Sequence, residues 1–224
     1  MNIKNEAYSV IIPAYNAENT IAAAIDSTLT QSIRPQEIIV IDDGSSDKTC
    51  EIAFAYAPIV RVISQPNQGP GKATNHGIQL AKEKLLAFLD SDDIWLPHKM
   101  EVQLNAFAQQ EYISAILSHV EDFKDDVLYK TESYAMWGRS TMLIKTEDAK
   151  LIGDIIDFPG NLGDMIDWIK RGQELGLIFH MLPDVLVKRR IRIDSLSYGR
   201  SAEKDRGYIF AVKRALDRMR EKKS

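Results

Sequence analysis

Apolar and polar residues follow two alternating patterns over the first 90 positions of the chain. Short, mostly apolar runs alternate with segments in which apolar residues recur every three or four positions, and the runs occupy residues 8–13, 38–41, 59–64 and 85–90. Uninterrupted runs of this kind are typical of strands covered on both faces in a parallel sheet, and the wider spacing is typical of helices. Four strands separated by helices predict right-handed crossovers and a parallel α/β sheet.

The second half of the chain has a less regular pattern. It predicts helices over about 98–110 and 161–175, and strands over 113–120, 141–145, 177–182 and 185–193. A last helix is predicted over 201–224, with its apolar residues on one face: Ile209, Val212, Leu216 and Met219. We expect this helix to dock on its own domain, with contact to an acidic membrane surface as the alternative.

Composition narrows the class of protein. A chain of 224 residues with 45% hydrophobic residues can bury a substantial core, so we expect one domain over 1–224. A net charge of -4 argues against a protein that coats nucleic acid. The single cysteine, Cys50, allows no internal disulfide and no zinc-binding cysteine cluster. No apolar run reaches the length of a signal peptide or a membrane span, so we expect a cytoplasmic protein, with peripheral membrane contact and a homo-oligomer both left open.

Carboxylates follow two of the predicted strands directly. Asp42 and Asp43 end the second strand, and Asp90, Asp92 and Asp93 follow the fourth. In an open parallel sheet the ligand crevice lies beyond these carboxyl ends, so the acids are expected at one rim. Such a cluster calls for a cation, and Mg²⁺ or Mn²⁺ is held by one or two carboxylates together with a substrate's phosphates. The alternative is that these aspartates only stabilise turns and helix caps.

A glycine-rich loop after the third strand contains Gly69, Gly71 and Lys72. A Walker loop would need glycine at 66 and serine or threonine at 73, where this chain has proline and alanine. A dinucleotide-binding fingerprint would need glycine at 74, where the chain has threonine. The loop therefore favours neither a P-loop NTPase nor a nicotinamide-dependent dehydrogenase.

Four segments, in order, resemble the nucleotide-sugar-binding blocks of the family 2 glycosyltransferases: SVIIPAYNAENTI, IIVIDDGSSDKT, NQGPGKATNHGI and LLAFLDSDDIW. The resemblance is strong over residues 8–100 and weaker over 130–195. It implies a GT-A fold, which is an α/β, Rossmann-like fold with a mostly parallel central sheet flanked by helices. It also implies a nucleotide-sugar-binding half at about 8–100, an acceptor-side half at about 101–200 and a C-terminal helix over 201–224.

The resemblance also assigns contacts with a nucleotide-sugar donor of the UDP or GDP type. Asp92 would bind the metal, and the donor contacts would come from Pro13, Tyr15, Glu18, Asp42, Asp43, Lys72, Asn75, Asp90 and Ser91. Asp93 would either support the metal residue or form the turn. Trp137 would line the sugar or acceptor site, with burial in the core as the alternative. Arg189, Arg190 and Arg192 would contact diphosphate or acceptor, although an alternating strand cannot turn all three to one side.

The family inverts the sugar carbon by direct displacement, so the resemblance implies a general base. Asp164 is the candidate, and Asp167, three residues on, would orient it or touch the acceptor. Asp164 could instead be a first-turn carboxylate favoured by the helix dipole. The acceptor is unknown, and we expect a hydroxyl of a lipid-linked saccharide, a peptide or a small metabolite.

The sequence departs from the family pattern at two places. Met165 stands where the base block usually has a second acid, and Arg192 stands where a late segment often has histidine. These departures keep open a binding protein that retains the donor pocket without catalysis. A sugar-phosphate nucleotidyltransferase is a further alternative, but it would need a loop rich in glycine and arginine after the first strand.

Overall fold

The computed structural model describes residues 7–110, 112–125, 132–158, 163–191 and 202–221. The first half alternates strands and helices as the pattern predicts. Its strands are β1 (Tyr8–Ala14), β2 (Glu37–Asp42), β3 (Val60–Ser64) and β4 (Leu85–Phe88). Its helices are α1 (Ile21–Leu29), α2 (Thr49–Phe54) and α3 (Pro70–Leu80).

The second half has shorter and more varied elements. Its strands are β5 (Ile94–Trp95), β6 (Ala115–Phe123), β7 (Tyr134–Ala135), β8 (Leu143–Lys145) and β9 (Phe179–Arg190). Its helices are α4 (Lys99–Gln109), α5 (Thr146–Ile152), α6 (Asp164–Glu174) and α7 (Ala202–Glu221), and one 3₁₀ turn covers Arg139–Thr141.

The described strands form one sheet in the order β3-β2-β1-β4-β8-β6-β9-β5, with β7 paired to β6. The first four strands are parallel, as predicted. Beyond them the directions are mixed, because β8 is antiparallel to both β4 and β6, while β6 and β9 are parallel. The α/β fold class is confirmed, and its parallel part is the half that carries the acidic strand ends.

Two apolar layers cover the two faces of this sheet. Alternate residues of β1 point to opposite faces, so Val10 and Ile12 join one layer while Ile11 joins the other. The helix α3 lies very close to the sheet, because a Cβ on Gly77 would come within 2.3 Å of the Ile11 side chain. Both faces of the central strands are therefore shielded from solvent, which explains their uninterrupted apolar runs.

Several elements differ from the sequence-based prediction. The strands predicted over 177–182 and 185–193 are one strand, β9, which pairs with β6 through a register shift between Leu117 and His119. Pro183 lies in this irregular stretch, where a proline is tolerated because the ladder is interrupted. Helix α3 ends at Leu80 instead of near residue 84, and β5, β7 and α5 were not predicted.

The predicted docking face of the last helix was wrong. The side chains of its predicted face are between 46% and 63% exposed, namely Ile209, Val212, Leu216 and Met219. The buried positions of α7 are instead Gly207 and Ala211. Two small residues allow the helix backbone to approach α6 closely, and this contact decides which face is docked.

A lysine without a carboxylate partner is buried beside the sheet. Lys99 is fully buried, its Nζ donates to Gln103 Oε1 at 2.7 Å, and it lies 4.1 Å from the centroid of the Trp95 ring. Among the described residues no carboxylate lies within ion-pair distance of it. Burial therefore lowers the pKa of Lys99 well below its usual value.

Replacing this lysine should change how stability depends on pH. Between the lowered folded pKa and the usual value near 10.4, the unfolded chain binds more protons at Lys99 than the folded chain does, so wild-type stability rises with pH. Lys99→Met removes that dependence, and its stability relative to wild type should fall by up to about 1.4 kcal/mol per pH unit on going from neutral to alkaline pH. Urea denaturation across this range measures the effect. Exposed Lys82→Met is the control, and parallel pH curves for wild type and Lys99→Met would contradict the expectation.

Candidate functional site

The loops that follow β1, β2 and β4 leave the sheet at the same edge. The strands are parallel and in register, with Ala14 opposite Asp42 and Ile11 opposite Phe88. The acids predicted to meet at one rim therefore do so. Several of these acids are already hydrogen-bonded to other groups of the chain.

The loops after β1 and β2 are joined by reciprocal hydrogen bonds. Asn16, which has a positive φ of 47°, donates its backbone N–H to Ser45 Oγ at 3.0 Å. The Glu18 N–H donates to Asp47 Oδ2, and the Lys48 N–H donates to Glu18 Oε2, both at 3.1 Å. Glu18 is half-buried, and one of its carboxylate oxygens holds the neighbouring loop. The two loops form one rigid side of the rim.

Asp42 and Asp43 are both buried, and both bind backbone N–H groups. Asp42 Oδ1 accepts the N–H of Ser45 at 3.2 Å. Asp43 accepts the Gln65 side-chain amide at 2.7 Å and the N–H of Gly69 at 2.8 Å. Asp43 thus anchors the glycine-rich loop. These hydrogen bonds explain why the Asp43 carboxylate is buried, and no bound ligand is needed to explain it.

The N-terminus of α3 is closed by an aspartate from a distant segment. Asp157 accepts the N–H of Gly71 at 2.8 Å and that of Lys72 at 3.1 Å. A Cβ on Gly71 would lie 2.7 Å from Asp157 Oδ1, so only glycine permits this approach. Burial raises the pKa of Asp157, although these two hydrogen bonds lower it. Helix N-termini attract anions, and here the anion belongs to the protein.

Asn75 fixes the same distant segment one turn further along α3. Its Nδ2 donates to the Ile155 carbonyl at 2.9 Å, and its Oδ1 accepts the Ile155 N–H at 2.8 Å. The residue is buried, so both ends of the amide are used inside the protein. The structure therefore gives Asn75 a part in holding the segment around Ile155 on α3, and its amide is not free to face a donor as predicted. The side chain of Lys72, also on α3, is exposed.

Arg139, in the 3₁₀ turn, connects two acids that are far apart in sequence. Its Nε donates to Asp90 Oδ1 at 2.9 Å, and its Nη1 donates to Asp164 Oδ2 at 2.5 Å. The arginine side chain is only 11% exposed. Burial alone lowers the pKa of Arg139, but the carboxylates of Asp164 and Asp90 outweigh it and raise the pKa above its usual value. One guanidinium therefore joins the predicted donor-binding motif to the predicted base.

Ser140, the next residue, fixes the turn formed by 90–93. Its hydroxyl donates to Asp93 Oδ2 at 2.6 Å and accepts the Asp90 N–H at 3.1 Å, while its carbonyl accepts the Trp95 indole N–H at 2.8 Å. The Asp93 N–H also donates to the Asp90 carbonyl at 3.0 Å. Asp93 is thus both a turn residue and a buried support for the motif.

The motif has a strongly negative local field. Burial raises the pKa of Asp93 well above its usual value, the charges on Asp92 and Asp90 add to this, and the hydrogen bonds from Ser140 and Arg190 only partly oppose it. Such a field suits a divalent cation. No three His, Cys, Asp or Glu side chains come together as a metal cage within the part of the chain that the structure describes. A Mg²⁺ or Mn²⁺ ion with one or two carboxylates, waters and phosphates needs no such cage.

Of the two described arginines at the end of β9, Arg190 contacts the 90–93 turn and Arg189 does not. Arg190 donates its Nε to the Asp92 carbonyl at 2.9 Å, pairs with Asp125 and lies 4.5 Å from the Phe123 ring centroid. Arg189 forms an ion pair with Asp122 at 3.3 Å. Neighbouring residues of a strand face opposite sides, so the two arginines cannot share one ligand. Arg192, predicted to contact the substrate, lies outside the described residues.

Helix α6 begins at Asp164, directly after Gly163 with a φ of 88°. Asp164 is buried, and Met165 beside it belongs to the apolar core. Asp167 is held by two arginines. Its Oδ1 accepts a hydrogen bond from Arg218 Nη1 at 2.8 Å, and its Oδ2 accepts one from Arg171 Nε at 3.1 Å. The structure therefore gives Asp167 a part in holding α7 on α6.

The remaining predicted residues line the rim at different depths. Pro13 is buried within β1, and Ser91 and Asp92 are half-buried in the turn. Tyr15 is 53% exposed and Trp137 is 42% exposed, so burial of Trp137 in the core is excluded. Both aromatic side chains are therefore accessible from the solvent.

Sequence reasoning missed Arg139, Ser140 and Asp157. All three lie in segments without helical or strand periodicity, and their partners are distant in sequence: 49 positions separate Arg139 from Asp90, and 86 separate Asp157 from Gly71. The only local signal is the polar WGRS stretch immediately before the apolar run over 141–145. That stretch indicates a turn and does not indicate what the turn binds.

Comparisons with known proteins identify a matching family model and several relatives. The sequence model described as Glycosyl transferase family 2 matches residues 9–173. An uncharacterized glycosyltransferase of Rickettsia prowazekii is 42% identical over 104 residues, which are 46% of this chain and 33% of that protein. The Escherichia coli UDP-Glc:α-D-GlcNAc-diphosphoundecaprenol β-1,3-glucosyltransferase WfgD is 40% identical over 99 residues, which are 43% of this chain and 39% of that protein. The chain thus spans well under half the length of these curated relatives.

Solved structures with the same fold come from Staphylococcus aureus TarS. The TarS crystal structure in complex with UDP-GlcNAc superposes with a TM-score of 0.71 over 93% of this chain and 65% of that chain, at 19% identity. The complex with UDP gives a TM-score of 0.68 over 94% of this chain and 72% of that chain, also at 19% identity. At this identity the likeness establishes the GT-A fold. None of the helices in the described ranges is both long and apolar enough to cross a membrane.

The ion pairs around Asp167 should contribute measurably to stability. The Asp167 carboxylate is only 1% exposed, and Arg218→Ala removes one of its cationic partners. This substitution should lower the free energy of unfolding by about 2 kcal/mol. Arg220→Ala on the same helix is the matched control, because Arg220 is 82% exposed and its pair with Asp217 is long, at 3.7 Å. Urea denaturation compares them, and equal midpoints would contradict the proposed role of Asp167.

Proposed function

Since the chain belongs to glycosyl transferase family 2, we propose that it moves a sugar from a UDP-type donor to a hydroxyl acceptor, with inversion at the sugar carbon and with a divalent cation bound at Asp92. The chain has the GT-A fold, and its structural neighbour TarS has been solved with UDP-GlcNAc and with UDP. The sugar transfer, the donor class, the metal and the stereochemistry are all parts of the proposal.

The observation that carries the proposal is the bridge made by Arg139. It bonds Asp90 at 2.9 Å and Asp164 at 2.5 Å, so the donor-binding motif and the predicted base lie on the two sides of one buried guanidinium. An inverting displacement needs these two functions on opposite sides of a single sugar carbon. A site for donor binding alone would not require a second carboxylate fixed in this place.

The donor side must stabilise the negative charge that grows on the nucleoside diphosphate as the sugar leaves. A bound divalent cation would supply this stabilisation by neutralising the two phosphates. Asp92 would hold the ion, while Asp90, fixed by Arg139, would be turned to the ribose or the sugar. Ser140 and Arg190 keep the 90–93 turn in one shape, so these carboxylates need no rearrangement when the donor binds.

On the acceptor side we assign Asp164 as the general base. Its Oδ2 is held by Arg139, which leaves Oδ1 as the atom to take the proton from an acceptor hydroxyl. Two features fix its position, because Gly163 packs against α7 and Asp167, one turn along, is bonded to Arg171 and Arg218. A base with a fixed position supports attack from one direction only.

The acceptor class follows from one relative with a stated substrate. WfgD acts on a saccharide linked through diphosphate to undecaprenol, and it shares 40% identity with this chain over 99 residues. We propose that this chain likewise uses a lipid-linked saccharide.

Removing the Asp92 carboxylate, the proposed metal ligand, should abolish the donor binding that depends on the ion. A thermal-shift screen of nucleotide sugars with and without Mn²⁺ should show a higher midpoint only when donor and ion are both present, because ligands of the native state raise it. Asp92→Asn should lose this shift, whereas Glu147→Gln, an exposed acid on α5, should keep it. A Mn²⁺-dependent shift that persists in Asp92→Asn would place the ion elsewhere.

Removing the base should separate binding from transfer. Asp164→Asn should keep the donor-induced shift but lower the rate of sugar transfer by about 100-fold or more, which is the usual contribution of a general base. Arg139→Lys keeps a cation but cannot bond both carboxylates in the same way, so both the shift and the rate should fall. The rate is measured as nucleoside diphosphate released with lipid-linked saccharide acceptors. Unchanged transfer in Asp164→Asn would redirect the assignment to the nearby Asp157.

A further inference from the structure

From residue 206 onward, the described residues of helix α7 that contact the rest of the protein lie on one face. Gly207 and Ala211 are buried, and a Cβ on Gly163 would lie 2.8 Å from the Gly207 carbonyl oxygen. Arg218 of the same face bonds Asp167 at 2.8 Å and Glu174, also at 2.8 Å. This docking fixes the orientation of the helix, so the residues on its other side have a defined direction.

The outward side of α7 carries an apolar stripe. At about 100° per residue, its five side chains fall within an arc of about 100° along about 17 Å of helix. They are between 44% and 63% exposed: Tyr208, Ile209, Val212, Leu216 and Met219. A continuous exposed patch of this kind marks an interaction surface, whereas isolated exposed apolar residues do not.

A row of cations borders one side of the stripe. Arg206, Lys213 and Arg220 are all exposed and follow one another along the helix. Asp217 lies on the same side and pairs with Arg220 at 3.7 Å, so the row keeps a net positive charge. The protein as a whole has a net charge of -4. The row is therefore a local concentration of positive charge on a chain that is negative overall.

We propose that this face of α7 lies on an anionic membrane surface. The apolar stripe would enter the boundary between headgroups and acyl chains, and the cationic row would contact lipid phosphates. Amphipathic helices with an apolar face and basic flanks bind anionic bilayers in this way. The charge of the row complements that surface and opposes the alternative of a second copy. In an antiparallel pair with twofold symmetry the row would face its own copy, and like charges would meet.

Membrane contact through α7 would bear directly on the acceptor side of the site. The docked face of α7 touches Gly163, the residue before Asp164, so the base lies close to the helix that meets the membrane. A lipid-linked acceptor presents its saccharide at the same surface. This consequence rests on the proposed function, whereas the membrane contact itself does not.

Vesicle co-sedimentation of the whole chain, in the absence of sugar nucleotide, tests the proposal. We expect binding to vesicles of phosphatidylcholine and phosphatidylglycerol, weaker binding at high salt, and little binding to pure phosphatidylcholine. Ile209→Gln with Leu216→Gln should reduce binding by about tenfold or more, because two buried apolar side chains are lost. Ile59→Gln with Leu151→Gln is the matched control, since these residues are 64% and 61% exposed on other parts of the surface.

The cationic row is tested in the same way. Arg206→Gln with Lys213→Gln should lower binding to the anionic vesicles by about fivefold per residue. Lys82→Gln with Lys84→Gln, both exposed elsewhere, should leave it unchanged.

Three results would overturn the proposal. Wild type that fails to bind anionic vesicles, or stripe variants that bind as wild type does, would each exclude this face as a membrane site. A wild-type dimer in light scattering that becomes a monomer in the stripe variants would assign the face to a second copy. A cooperative urea unfolding transition, measured without donor, checks that every variant is folded. A failure of the proposed function would appear in the donor thermal-shift measurement and would leave vesicle binding unaffected.

Discussion

The site depends on one buried guanidinium and the two carboxylates that it joins. Arg139 is nearly inaccessible to solvent, and a charge in that position is stable only because Asp90 and Asp164 compensate it. The same compensation draws together three segments: the turn after β4, the 3₁₀ turn before β8 and the start of α6. Removing the arginine would leave two carboxylates without their shared cation, so this part of the rim depends on Arg139. The proposed donor and acceptor sides of the site are therefore linked by electrostatics as well as by the chain.

A second set of charges extends this coupling away from the sheet. Asp167 is one helical turn after Asp164 and is surrounded by arginines of α6 and α7. Burial of this carboxylate would be costly without them, so the position of α7 is tied to the helix that begins at Asp164. Helix α7 is thus connected to the proposed base through one acid of α6, Asp167, which lies one turn after Asp164.

The sequence predicted the parallel half of the fold well because its signals are local. Uninterrupted apolar runs in β1, β2 and β4 follow from burial on both faces, and the acids that follow them must meet at one edge. β9 was predicted as two strands because Pro183 breaks the pattern, and only pairing with β6 shows that the break is a bulge. The spacing of the apolar residues predicted the stripe on α7. The docked face depends instead on the close contact between Gly207 and Gly163, which this spacing does not indicate. The WGRS stretch indicates a turn at Arg139 but not its partners, because Asp90 and Asp164 come close to it only in the folded chain.

The carboxylate of Asp157 has a consequence for how phosphate is recognised. It occupies the first N–H groups of α3, the place where many α/β proteins hold a phosphate by backbone dipoles alone. With that terminus sealed by an internal acid, the helix offers no positive end to the solvent. In the proposed function, attraction for a pyrophosphate would therefore come from another source, either the exposed Lys72 side chain or a cation that arrives with the ligand.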